Sequence, residues 1–221
     1  MVEGSPHIKE NILLIGPFPP PIGGETVSTS KLLGSRYWKE AGVRISTINL
    51  YGKGRIRLQG DRLTPMNILR AFRILLQFLF KIHGKDRVLV WITRRSLCSL
   101  GLAMILISRF FGKPVIVKVF GSYLVEQINE YGPRYRRFIV SVLSRVERIL
   151  PQTDAIARGL VEDTGLDGSL VTRFPNFLMD DSLDSPVETR EFEGRCVFVG
   201  HIKEEKGVFD IIEALGSKTG V

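Results

Sequence analysis

Short apolar segments alternate with longer helical segments from near the N-terminus to about residue 175. The apolar segments are too short for helices and are bounded by glycine or charged residues, which is typical of buried strands. Strands that are apolar throughout and separated by helices pack into a parallel sheet covered on both faces. The sequence therefore predicts an α/β fold, a Rossmann-like parallel sheet with helices on both faces. The predicted strands are 11–16, 43–50, 87–92, 114–120, 148–150 and 169–174, with helices that include 24–41 and 153–164.

A change in composition near residue 175 divides the chain. The stretch that follows is acidic, contains proline and shows no apolar period, so we predict a linker over 176–194. Beyond it, RCVFVG predicts a strand and KGVFDIIEAL a helix, and one such unit cannot bury both of its faces. We therefore predict a Rossmann-like N-terminal domain over 1–175 and the incomplete start of a second domain over 195–221.

Composition indicates an ordinary globular protein with a preference for anionic partners. The chain is 44% hydrophobic and 24% charged, and 31 Lys and Arg against 23 Asp and Glu give a net charge of +8. Such an excess suits phosphorylated ligands, nucleic acid or an acidic membrane surface. No nucleic-acid recognition motif accompanies the charge, so we expect no nucleic-acid partner.

The cysteines and the N-terminus bear on the compartment. Cys98 and Cys196 lie far apart in the sequence, and no histidine joins them at metal-ligand spacing, so we predict neither a disulfide nor a metal site. The N-terminal segment MVEGSPHIKEN lacks the apolar core of a secretory signal. No run reaches the roughly 18–20 apolar residues that a membrane span needs. These features favour a reducing, cytoplasmic location.

The loop GPFPPPIGGE, residues 16–25, follows the first predicted strand. Ligands of open α/β sheets bind beyond the carboxyl ends of the strands. Gly23 and Gly24 precede a predicted helix, where backbone amides without a side chain in the way can approach a phosphate or a sugar. The alternative is a proline-rich turn that only leads into the helix. The spacing is not that of a dinucleotide-binding fingerprint.

The segment FVGHIKEEKGVFDIIEAL, residues 198–215, contains the second candidate site. A predicted strand ends at Gly200, and a polar loop with His201 and Lys206 leads into an amphipathic helix. A lysine at a strand-to-helix turn is well placed to neutralise a pyrophosphate. The alternative is a solvated lysine in a surface loop.

Four segments together resemble the retaining family 4 glycosyltransferases, which have two Rossmann-like domains (the GT-B fold). The segments are PPPIGGE, ILPQTDAIARGL, RFPN and VGHIKEEKGVFDIIEAL. The resemblance implies that Gly23 and Gly24 face the phosphate and sugar of a nucleotide-sugar donor, and that Lys206 contacts the donor pyrophosphate. His201 stands where the family usually has arginine, so the resemblance implies that His201 also contacts the phosphate or sugar of the donor. It also implies a ligand-facing loop at Gly121 and Ser122, after a Phe120 that stands where many members have histidine.

The resemblance also sets an expectation for activity. The family's E-x7-E segment, which binds the nucleotide ribose and the donor sugar, lies beyond the equivalent of residue 221. We therefore expect the parent protein to be a glycosyltransferase and this chain by itself to be inactive. The resemblance implies a nucleotide-sugar donor, a saccharide or lipid-linked acceptor, and neither a cofactor nor a metal.

The segment from 53 to 84 is basic and apolar. The residues Arg55, Arg57 and Arg62 precede a predicted helix over 63–84, in which polar residues form one narrow stripe. A wide apolar face beside basic residues suits a helix lying on an anionic membrane. The alternative, which we expect for most of the apolar residues, is a helix packed on the sheet with its polar stripe in solvent. We predict that the three arginines provide membrane or phosphate contact.

Three functional hypotheses follow. The first is a glycosyltransferase at the inner face of the cytoplasmic membrane. The second is a catalytically dead, membrane-associated binding or assembly module. The third is a nucleotide-binding protein of another Rossmann type.

Overall fold

The computed structural model describes residues 9–20, 22–51, 65–93, 96–120, 124–175, 197–198, 202, 204 and 207–218. The chain divides into two compact units, Met1–Met179 and Asp180–Val221. Their correspondence to the predicted acceptor-side and donor-side domains stays a prediction. The predicted strand at 195–200 falls largely outside the described residues.

Five parallel strands form the sheet of the first unit, in the order β2-β1-β3-β4-β5. This confirms the predicted α/β, Rossmann-like fold. The strands are β1 (Glu10–Gly16), β2 (Val43–Asn49), β3 (Arg87–Thr93), β4 (Val115–Phe120) and β5 (Arg148–Leu150).

Helices connect the strands. Those of the first unit are α1 (Gly24–Gly34), α2 (Tyr37–Glu40), α3 (Pro65–Lys81), α4 (Leu102–Phe110), α5 (Leu124–Glu130), α6 (Pro133–Leu143) and α7 (Asp154–Glu162). A π-helical turn, Leu97–Gly101, leads into α4, and a 3-10 turn, Gly168–Leu170, follows α7. The second unit contributes α8 (Val208–Lys218). Within the described ranges, none of the helices combines the length and the apolar character that crossing a bilayer requires.

The strand order decides which face each helix covers. The chain steps in one direction from β1 to β2 and in the other direction at every later crossover. Because crossovers between parallel strands are right-handed, α1 covers one face, and α3 to α7 cover the other. The core agrees with this: the larger cluster contains Ile74, Met104, Ile128 and Leu160 from these helices. On the opposite face, Leu32 of α1 and Trp38 of α2 pack on a smaller cluster.

Two predicted elements differ from the structure. The helix predicted over 24–41 ends at Gly34, because Ser35 is extended and the chain turns before α2. The strand predicted over 169–174 is wrong, because a 3-10 turn contains its first residues. In this turn the Asp167 carboxylate accepts a hydrogen bond from the Ser169 amide. After that turn, Val171 makes only an isolated bridge to Ile149.

The expected orientation of α3 is also wrong. Large apolar side chains of this helix are exposed, whereas its polar stripe lies largely at the border with the protein: Asn67, Arg70 and Gln77 are half-buried. The buried apolar side chains are Ile74 and Phe78. Periodicity identifies an amphipathic helix but does not determine which of two apolar sectors faces the sheet. The exposed side chains are Met66, Ile68, Leu69, Phe72, Leu76 and Phe80.

Close packing at the end of β1 generates the first prediction. A Cβ added to Gly16 would lie 3.3 Å from both Thr29 Cγ2 and the Trp91 carbonyl oxygen. We expect Gly16→Ala to force α1 or β3 to shift and to lower the free energy of unfolding by about 1–3 kcal/mol. Urea denaturation measures this change. The control is Gly34→Ala, whose added methyl group meets nothing within 4 Å; an equal loss in both variants would contradict the explanation.

Candidate functional site

The carboxyl ends of β1 and β3 form the point at which the strand order reverses. The chain leaves β1 towards β2 on one side and returns to β3 on the other. In open α/β sheets this switch point opens a crevice outside the strand ends, where ligands bind. The loop after Gly16 and the start of α1 lie at this edge.

Backbone and side chain together hold the start of α1. The Thr26 hydroxyl accepts a hydrogen bond from the Gly23 amide at 2.9 Å and donates one to the Gly23 carbonyl at 3.0 Å. The same carbonyl accepts the first intrahelical bond, from the Val27 amide. Thr26 is buried, so the helix start is fixed by a polar group that solvent does not reach. Sequence reasoning did not identify this threonine, although its place three residues after Gly23 is that of a capping residue.

The two predicted glycines lie on the open side of this helix start. A Cβ added at Gly23 or Gly24 would meet no atom within 4 Å, and both residues are exposed. Gly23 has extended backbone angles that any residue adopts, so its conformation does not require glycine. The first amides of a helix have no intrahelical acceptor. Among the described residues, none accepts a hydrogen bond from the amides of Gly24 and Glu25.

A carboxylate and a phenol lie beside these amides. The Tyr51 hydroxyl donates a 3.3 Å hydrogen bond to Glu25 Oε2, which joins the loop after β2 to the first turn of α1. Burial raises the pKa of Glu25, and the hydrogen bond from Tyr51 acts in the opposite direction. Burial and the neighbouring Glu25 raise the pKa of Tyr51 to about 12, so the phenol keeps its proton at neutral pH.

Asn49 connects the two loops at this edge. Its Oδ1 accepts from the Phe18 amide at 3.2 Å and from the Tyr51 amide at 2.9 Å. One side chain at the end of β2 therefore positions both the proline-rich loop after β1 and the tyrosine that contacts Glu25. Sequence reasoning missed Asn49, Tyr51 and Glu25, because their relation depends on the pairing of β1 with β2.

The remaining predicted site residues stay predictions. Gly121, Ser122, His201, Lys206, Arg55, Arg57 and Arg62 lie outside the described residues. The neighbouring Phe120 is described: its ring is buried and stacks on Trp91 with 5.6 Å between ring centroids. The Phe120 side chain thus packs on the sheet face that α1 covers.

A groove of about 410 Å³ lies on that same face beside α1 and α2, whose Leu32 and Trp38 line it. Its floor is apolar, with Leu89, Trp91 and Ile116 from the central strands. Lys118 of β4 also lines it and is almost fully buried. Its amino group donates to the Phe174 carbonyl and lies 4.7 Å from the centroid of the Phe174 ring. Sequence reasoning missed Lys118, although a lysine inside the apolar strand VIVKVF is itself a signal.

At one end of the groove a charged group joins three segments. Arg87 donates to Glu10 at 2.8 Å and also to Glu147.

Among the described residues, no group of histidine, cysteine and carboxylate side chains has the arrangement of a metal site.

Burial of Lys118 generates a prediction on pH dependence. Desolvation lowers its pKa to about 8, against about 10.4 in an unfolded chain. Between these values the unfolded chain binds the proton and the folded chain does not, so the free energy of unfolding rises with pH. From pH 7 to pH 9.5, we expect wild type to gain about 2 kcal/mol relative to Lys118→Met. Urea denaturation at several pH values tests this, with Lys113→Met as the control expected to follow wild type.

Comparison with known proteins adds a structural similarity. No family model matches the chain, and no curated protein matches it. The chain is similar to pyridoxal kinase from Leishmania donovani, solved in complex with ADP, at 15% sequence identity and a TM-score of 0.34. The aligned region covers 68% of this chain and 51%, about half, of the kinase chain. Similarity of this degree bears on no functional question.

Proposed function

We propose that the chain forms the acceptor-side part of a retaining glycosyltransferase that uses a nucleotide-sugar donor. The observation that carries the proposal is the open start of α1 at the strand-order switch point. There Gly23 and Gly24 leave backbone amides accessible beside the hydrogen-bonded pair of Glu25 and Tyr51. The resemblance of the four sequence segments to family 4 glycosyltransferases supplies the reaction class.

The two kinds of group at this site suit the two parts of a sugar phosphate. The amides of Gly24 and Glu25 point from a helix N-terminus, which favours a phosphate through both hydrogen bonds and the helix dipole. The Glu25 carboxylate accepts hydrogen bonds, and sugar hydroxyl groups donate them. A phosphate and a carboxylate repel each other, so the phosphate belongs on the glycine side and the sugar hydroxyls on the Glu25 side.

In the proposed reaction, backbone amides of the protein stabilise the negative charge of the leaving group. The leaving nucleoside diphosphate develops negative charge as the glycosidic bond breaks, and preorganised amides offset that charge without rearranging. The family resemblance adds Lys206 to these amides. The proposed acceptor is a saccharide or a lipid-linked saccharide, and the proposed location is the inner face of the cytoplasmic membrane.

The second candidate is a membrane-associated binding or assembly module without activity. The exposed apolar side chains of α3 favour it specifically, because they form a surface that the transferase proposal does not require. The two candidates differ in whether the start of α1 binds a nucleotide-sugar.

The test is a titration of the isotope-labelled 221-residue chain with UDP, GDP and their sugar conjugates, followed by amide NMR. We expect the amide signals of Gly24 and Glu25 to shift with a nucleotide-sugar and not with an uncharged nucleoside. Shifts of this kind report binding even when it is too weak for calorimetry. Unmoved amide signals at the start of α1 with every donor at millimolar concentration would overturn the proposal.

The matched variants are Gly24→Ala and Gly34→Ala, at opposite ends of α1. Neither added methyl group meets an atom within 4 Å, so we expect both free energies of unfolding to stay within about 0.5 kcal/mol of wild type. Only Gly24→Ala places a methyl group beside the proposed phosphate. We therefore expect at least about tenfold weaker donor binding for Gly24→Ala, a loss of about 1.4 kcal/mol, and no change for Gly34→Ala. Equal effects in the two variants would contradict the assignment.

A further inference from the structure

The helix α3 presents three distinct sectors around its axis. At about 100° of rotation per residue, one sector contains Ile74 and Phe78, which are buried in the larger core cluster. The sector on the far side contains Leu69, Phe72, Leu76 and Phe80, all exposed. A helix packed on one side needs a single apolar sector, so this second one has no role in the described fold.

The outward apolar sector consists of large side chains that are well exposed. The exposed fractions of its side chains range from 39% at Leu76 to 81% at Phe80. Scattered exposed apolar residues are common, but a continuous patch along one helix marks an interaction surface. Phe72 is 57% exposed, and it therefore contributes little to the core of this chain.

A cationic sector borders the apolar one. Arg70, Arg73 and Lys81 lie on the side of α3 between the exposed and the buried apolar residues. Arg73 and Lys81 are exposed, and the helix contains no acidic residue. The Lys81 amino group donates to the Thr47 carbonyl, which holds its charge at the border with β2. Among the described residues, no carboxylate forms an ion pair with Arg70 or Arg73.

We infer that the outward sector of α3 docks the chain on an anionic lipid bilayer. The helix lies along the surface, with Phe72 and Phe80 in the boundary between headgroups and acyl chains and the cations against lipid phosphates. Interfacial helices combine an apolar face with adjacent basic residues in this way. Each cation near an anionic leaflet strengthens the attraction. The inference rests on the membrane association proposed above, names the surface and the lipid charge involved, and does not depend on the glycosyltransferase activity.

Charge favours a bilayer over a second copy of the chain. An isologous contact through this surface would place the cations of both copies at one interface. The net charge of +8 adds to their repulsion. An anionic bilayer instead pairs each cation with a phosphate and removes the apolar side chains from water. The residues of this surface are not those for which the sequence predicts membrane contact, Arg55, Arg57 and Arg62.

The test is co-sedimentation of the full chain with vesicles of neutral phosphatidylcholine or of phosphatidylcholine with 30% phosphatidylglycerol. We expect wild type to bind the anionic vesicles at least about tenfold more strongly than the neutral ones, and added salt to weaken that binding. We expect Phe72→Ala combined with Phe80→Ala to reduce binding at least about tenfold. Arg70→Gln combined with Arg73→Gln removes two charges, and we expect a reduction of about thirtyfold.

The matched control is Arg134→Gln combined with Arg137→Gln on α6. It makes the same change in net charge at two exposed arginines on another helix. We expect this variant to bind anionic vesicles within about twofold of wild type. Equal losses in the two arginine pairs would show that only overall charge matters and would overturn the inference.

A second measurement places α3 itself at the membrane. In Phe72→Trp, we subtract the wild-type emission of Trp38 and Trp91. We expect the remaining emission to shift to the blue with anionic vesicles and to be quenched by brominated lipids. An unshifted emission would overturn the inference, even if the vesicles bind the chain. The inference also fails if sedimentation without lipid shows a dimer that Phe72→Ala with Phe80→Ala dissociates while vesicle binding is retained.

Discussion

The pairing of β1 with β2 on one side and with β3 on the other determines the arrangement of the first unit. It reverses the strand order, and the right-handed crossovers then send α1 to one face and the later helices to the other. The same pairing creates the switch point beside which the loop with Gly23 and Gly24 lies. It also leaves part of the α1 face of the sheet as the floor of the groove that Leu32, Trp38 and Lys118 line.

The sheet could be predicted from the sequence because a parallel strand is apolar on both faces. The runs that became β1, β3 and β4 carry that signal without reference to any neighbour. The strand predicted over 169–174 was wrong because apolar composition does not reveal that the Asp167 carboxylate accepts hydrogen bonds from the Ser169 amide and hydroxyl, which turn the chain there. The orientation of α3 was predicted wrongly for a related reason. Its apolar residues occur on two sides of the helix, and their periodicity fits burial of either side.

Of the candidate site, only the glycines that expose backbone amides could be predicted from the sequence. Gly23 and Gly24 stand out because a strand, a turn and a helix start follow one another along the chain. The groups that complete the site, Asn49, Tyr51 and Glu25, meet only after β2 has paired with β1. Their side chains are ordinary for a loop and a helix start, so no local pattern distinguishes them. Tertiary contact supplies their hydrogen bonds and the shifted pKa of Tyr51.

The central position of β1 has a consequence for synthesis on the ribosome. Its first partner, β2, follows within one crossover, but its other edge has no complete partner until Val90 of β3 has emerged. At about 5–20 residues per second, an apolar strand edge stays open for several seconds while α3 is being made. An open edge recruits other strands. Between the completion of β2 and the arrival of β3, the open edge of β1 is therefore a site at which the nascent chain can pair wrongly.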